Sequence, residues 1–148
     1  MAEPRKTVLQ GGRPKAYRPM PAAARRDAIE NGLAAYERGD YFLAHELLEP
    51  PWMGTRNLAE RELIQGIIKL AAAFVHGARS NPRGVEKNLR GARERIANGL
   101  AAGPPAGIDA HALLEAIDAW LANPQLGTVG EAAIGIPRIA APETPPER

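Results

Sequence analysis

The 148-residue chain contains no cysteine. That absence excludes a disulfide framework, thiolate metal sites and thiol nucleophiles. Aromatic residues are scarce at 5%, and within the 45% hydrophobic content Ala, Leu and Ile predominate, which favours closely packed helices over a sheet sandwich built on Val, Tyr and Phe. Long apolar runs are missing as well: the one that ends at Val75 is far too short to span a bilayer. The basic N-terminus leads into prolines rather than an apolar block, so no signal peptide is expected, and the chain reads as cytoplasmic and without a membrane partner. Serine occurs once, at Ser80, with no acid beside it in sequence. Nucleophilic catalysis by serine therefore has little support. No Gly-rich phosphate loop is present either, and "GARSNPRG", Gly77 to Gly84, reads as an ordinary helix-to-helix turn.

What is present divides the chain by charge. Residues 1–26 hold seven Lys and Arg against Glu3 alone, a charge of +6, and the other 122 residues hold twelve basic against sixteen acidic groups, a charge of −4. A basic arm on an acidic body docks onto its own domain or binds an anionic partner. The first use is the commoner, so nucleic acid is not expected as a partner.

The length suits one domain. Four prolines and the pair Gly11-Gly12 within residues 1–21 predict an extended arm with no regular element. Ile29, Leu33 and Tyr36 mark a first helix from Ala22 to Arg38, closed by Gly39. Asp40 caps a short second helix from Tyr41 to Glu49, which Pro50 and Pro51 should terminate. Asn57 and Glu60 have the spacing of a capping box that opens a long central helix to about His76. Its polar residues Arg61, Glu62, Gln65, Lys69 and His76 crowd into an arc of roughly 100°. Asn81-Pro82 begins a fourth helix with the stripe Val85, Leu89, Ala92, Ile96 and Leu100, and Asp109 caps a fifth that stops at Asn123-Pro124. Leu126 to Ile139 should lie extended over the bundle, and Ala140 to Arg148 should fray. The predicted fold is all-α: a compact bundle of about five helices over residues 22–123, with an extended basic arm at 1–21 and an extended C-terminal tail at 124–148.

The stretch "AHELLEPPW", Ala44 to Trp52, is where chemistry could sit. His45, Glu46 and Glu49 share an arc of about 100° on the second helix, interleaved with two aromatic rings. A solvated face carries more charge and fewer rings, so this arc should be partly covered, facing Gln65, Lys69 and His76 of the central helix. His45 and Glu49 stand four apart and so could chelate a metal with Glu62 or His76 as a third ligand, but "HELLE" lacks the second His of the zinc-protease pattern. Arg61 and Lys69 can neutralise Glu46 and Glu49 without an ion. As an acid–base pair, His45 titrates in the useful range and Glu49 could orient it. Trp52 suits a lid over the core better than an exposed anchor for a partner.

Three runs together, "GDYFLAHELLEPPW", "RELIQGIIKLAAAFVH" and "NPRGVEKNL", resemble the small all-helical family numbered 309 among domains of unknown function. The resemblance spans about Ile29 to Ile96. It implies a compact helical bundle, found mostly in bacterial and archaeal proteins, with no established activity and with signature positions at His45, Glu46, Glu49, Trp52, Arg61, Gln65 and Gly66. The chain departs from that pattern at Pro50-Pro51 and at Lys69, where the family implies Gln.

The reading is therefore of a non-enzymatic bundle in which His45, Glu46, Glu49, Trp52, Arg61, Gln65, Lys69 and His76 form an interhelical polar network or line a small pocket, with no cofactor. A metal-assisted hydrolase or acid–base enzyme using His45 and Glu49 is the alternative. A module that engages protein or nucleic acid through the basic arm is a third. A homo-oligomer stays open.

Overall fold

A computed structural model describes residues 7–10, 12–103, 107–122 and 134–139. Two short strands, β1 (Thr7–Gln10) and β2 (Arg13–Ala16), precede five helices: α1 (Ala22–Glu37), α2 (Tyr41–Met53), α3 (Leu58–Ala78), α4 (Pro82–Ala102) and α5 (Ala110–Leu121). The all-α bundle is as expected from sequence, and four of the five helix starts are set by the anticipated caps. Asp40, Asn57, Asn81 and Asp109 each accept the backbone N–H three residues on. Gly39, at φ +84°, ends α1 with the Asp40 N–H on the Ala35 carbonyl and its own N–H on Tyr36. That pattern is a Schellman turn, and it joins α1 to α2 almost without a loop.

α3 runs through the middle of the bundle. Leu63, Ile64, Ile67, Leu70, Ala71, Ala73 and Phe74 are all buried, against Leu33 and Tyr36 of α1, Leu48 of α2 and the Val85–Leu89–Ala92–Ile96 stripe of α4. Full burial of each such Leu or Ile contributes about 1.5–3 kcal/mol. Gly66 lets α3 and α4 approach closely, because a Cβ there would stand 2.6 Å from Ile96 Cγ1.

Two expectations need correction. α2 does not stop at Glu49 but continues through Pro50 and Pro51 to Met53. The two prolines cost the helix the N–H bonds to the Glu46 and Leu47 carbonyls, yet they lie in its last turns and Pro51 is itself part of the packed core. The second correction concerns the arm, which is extended but not featureless: β1 and β2 pair antiparallel, with Gln10 opposite Arg13. Pro14 faces Leu9 at a non-hydrogen-bonded position, where its missing N–H costs the ladder nothing.

The segment after the hairpin lies along the α2–α3 turn. Arg18 donates its N–H to the Met53 carbonyl at 2.9 Å, and Met20 donates to Gly54 at 3.2 Å. Gly54 is required there, since a Cβ would come within 2.5 Å of Met20 Cβ. At the other end, residues 134–139 lie over the bundle as anticipated, Asp109 N–H bonding Pro137 O and Tyr36 Oη donating to Ile134 O. The rest of the expected tail, the Asn123-Pro124 stop and the frayed end from Ala140 fall outside the described residues.

Candidate functional site

Among the described residues Arg61 is the best-connected polar group, and its partners are not the carboxylates expected from sequence. Its side chain is fully buried at the start of α3. Nε donates to Gln10 Oε1 at 2.9 Å, Nη1 to the carbonyls of Trp52 and Thr55 at 3.1 and 3.2 Å, and Nη2 to the Ala16 carbonyl at 3.0 Å. The guanidinium also stands 5.0 Å from the centre of the Trp52 ring. Burial depresses its pKa, and the neighbouring Glu62 charge opposes that shift. Three backbone carbonyls and an amide thus satisfy a cation that pairs with no carboxylate among the described residues. The hairpin register explains the Ala16 contact: Ala16 pairs with Thr7 at a non-hydrogen-bonded position, so its carbonyl points away from β1 and toward Arg61.

Gln10 is the hinge of this network. Besides accepting from Arg61, its Oε1 accepts from Trp52 Nε1 at 3.3 Å, while its Nε2 donates to Gln65 Oε1. Trp52 and Gln65 are thereby held in place by a residue of the arm. With Gln65 Oε1 taken, the Gln65 NH₂ has no partner among the described residues.

Beside this latch lies a cleft of about 230 Å³ between α2, α3 and α4. His45 and Glu49 come from α2, Gln65 and Lys69 from α3, and Asn88 from α4, while Trp52, Ile68 and Ala72 supply apolar wall. His45 to Glu49 and Gln65 to Lys69 are both one helical turn apart, which aims each pair along one face. Asn88 Nδ2 donates to the Gly84 carbonyl at 2.8 Å, leaving its Oδ1 free to accept. Lys69 passes Gly91, where a Cβ would stand 3.0 Å from Lys69 Cδ. Neither Lys69 nor Glu49 has an ion-pair partner among the described residues.

Of the eight residues singled out from sequence, His45, Glu49, Trp52, Gln65 and Lys69 meet at this cleft, and Arg61 lies behind it. Glu46 is exposed and does not line it. His76 sits at the far end of α3, where its Nδ1 lies 3.2 Å from Asn81 Nδ2 and its ring covers Gly84. Glu62 is buried on another side of α3 and pairs with Arg95 at 3.3 Å. The third ligands considered for a metal therefore stand apart from His45 and Glu49, and no group of three or more His, Asp or Glu among the described residues has the arrangement to hold one. Arg61 is likewise turned away from Glu46 and Glu49, so it does not neutralise them.

Sequence reasoning missed Gln10, Thr55, the Ala16 carbonyl and Asn88. A signal for the first existed: Gly-Gly between "TVLQ" and "RPKA" is a hairpin turn dipeptide, and on β1 the exposed Thr7 and Leu9 alternate with the more buried Val8 and Gln10.

No helix among the described residues is long and apolar enough to cross a membrane. No curated protein and no solved structure matches the chain. Residues 29–88 match the family model described as Domain of unknown function (DUF309), the family the three motifs resemble, and they take in His45, Glu49, Trp52, Gln65, Lys69 and Asn88 but not Gln10. That segment, under half of the chain, is similar to the DUF309 family.

Proposed function

We propose that the protein is a non-enzymatic binding bundle whose α2–α3–α4 cleft takes a small zwitterionic molecule of the amino-acid type. The observation that carries this reading is the convergence of polar groups from three helices on one cleft, without ion-pair partners of their own among the described residues. Lys69 and the Gln65 NH₂ are donors suited to a carboxylate, and Glu49 and Asn88 Oδ1 are acceptors suited to an ammonium. A volume of about 230 Å³ takes roughly seven or eight groups the size of a water molecule, which matches a small amino acid. Trp52 supplies the apolar wall, held by the Arg61 latch, so the site is organised before the ligand arrives.

The acid–base alternative has one observation in its favour, since His45 and Glu49 line the same cleft. A panel of free amino acids titrated by calorimetry tests the proposal. At least one should bind saturably to the wild type, and Lys69→Met should weaken it tenfold or more while the fold is kept. A panel that gives no saturable binding contradicts it. The prokaryotic setting belongs to the same proposal and rests on the family resemblance, while the cytoplasmic setting rests on the composition alone; a homo-oligomer is left to sedimentation.

A further inference from the structure

A second cavity, on a different side of α3, has the opposite chemistry. It has a volume of about 240 Å³ and lies between α1, α2, α3 and the segment before α5. Its floor is apolar: Leu48, Leu63, Ile64, Ile67 and Ile108 are all nearly inaccessible in the bundle interior. Charge is confined to the mouth. There Glu60 is held by Arg25 at 2.5 Å, and Glu30 by Arg138 at 3.0 Å. Arg26 is the rim charge with no ion-pair partner among the described residues, so the mouth presents one uncompensated positive charge above an apolar floor.

We infer that this cavity binds a free medium-chain carboxylate, its alkyl chain on the Leu–Ile floor and its carboxylate on Arg26. The charge pattern selects the class: a neutral hydrocarbon leaves Arg26 unused, and a cationic amphiphile is repelled by it. The volume selects the length, because 240 Å³ accommodates roughly eight methylene-sized groups, an octanoate rather than a long-chain or two-tailed lipid. Arg26 supplies a guanidinium fork that matches a carboxylate in two hydrogen bonds. The polar α2–α3–α4 cleft, lined by none of these residues, is a separate site.

The test is calorimetric titration of the full chain, freed of bound lipid, with octanoate, butyrate and octanol below their aggregation concentrations. Octanoate should bind at one saturable site, and affinity should fall roughly fourfold per methylene removed, leaving butyrate unbound in the same range. Arg26→Glu, at an exposed position, should weaken octanoate tenfold or more and leave octanol unchanged. Ala22→Trp, which fills the mouth from the exposed first turn of α1, should abolish both, with circular dichroism confirming the helices; Lys69→Met should change neither. No saturable octanoate binding, equal affinity in Arg26→Glu, or undiminished binding in Ala22→Trp would each overturn the assignment.

Discussion

Replacing Arg61 by Ala removes four hydrogen bonds and the contact with the Trp52 ring, and it leaves the carbonyls of Ala16, Trp52 and Thr55 without this donor. A buried acceptor left unpaired costs about 1–3 kcal/mol. Two effects offset part of that sum. The desolvation of the guanidinium, visible in its depressed pKa, is relieved. The vacated space lies under a two-stranded hairpin and is large and polar enough to admit water, which re-pairs some carbonyls. The low end per carbonyl is therefore the appropriate value, and the expected loss is about 3–5 kcal/mol. Against a total stability of roughly 5–15 kcal/mol, that is a large fraction. Urea unfolding should show a lowered midpoint in Arg61→Ala, and amide exchange at Arg18, whose N–H bonds Met53 O, should rise as the arm loosens. Arg61→Lys keeps the charge but offers three donors without the planar fork, and should recover about half of the loss. A stability of Arg61→Ala within about 1 kcal/mol of the wild type would refute the latch.

Gln10→Ala should lower stability by about 1–2 kcal/mol, and a double-mutant cycle with Arg61→Ala should give a coupling of at least about 0.5 kcal/mol, measured by urea unfolding. Because the arm is held by neutral carbonyls and amides rather than by the acidic body, trypsin cleavage after Lys15, in β2, should be slow and nearly independent of salt, contrary to an arm docked by charge. Gly66→Ala should cost about 1–3 kcal/mol by pushing α3 from Ile96, read as a lowered thermal midpoint. Burial raises the Tyr36 pKa above the ordinary phenol value of 10.0, so its phenolate is disfavoured in the folded state. The stability it confers is whole below the unfolded pKa and is lost as pH rises above it. Ultraviolet titration should show Tyr36 ionising only with unfolding, and Tyr36→Phe should flatten the alkaline limb.

The five helices are legible in the chain because each carries an apolar stripe and has a cap or a glycine stop at one of its ends. Asp40, Asn57, Asn81 and Asp109 state where four of them begin, and Gly39 where the first ends. The position of α3 at the centre is legible too, since apolar residues cover most of its circumference. What polarity alone could not reveal is the fate of Arg61 and Glu62. A wheel assigns both to the wet arc, whereas the hairpin covers one and Arg95 of α4 reaches the other, and both are contacts between residues distant in sequence. Pro14 argues against a strand only where its N–H would enter the ladder, and the register places it where none is needed. Pro50 and Pro51 mark the end of α2 one turn early, because a last turn whose carbonyls are partly exposed tolerates missing donors. For the site, helical spacing suffices to aim His45 with Glu49 and Gln65 with Lys69 toward one seam. Asn88 and Gln10 join them only through tertiary packing.

On the function proposed above, the cleft between α2, α3 and α4 is a ligand site held open by the arm. Its most direct test is a heteronuclear NMR titration of the full chain with the tightest-binding free amino acid from the panel. Saturable shifts confined to His45, Glu49, Trp52, Gln65, Lys69 and Asn88, and greatly weakened in Gln10→Ala, are the predicted result. Shifts that do not saturate, that map elsewhere, or that are unchanged in Gln10→Ala would contradict it.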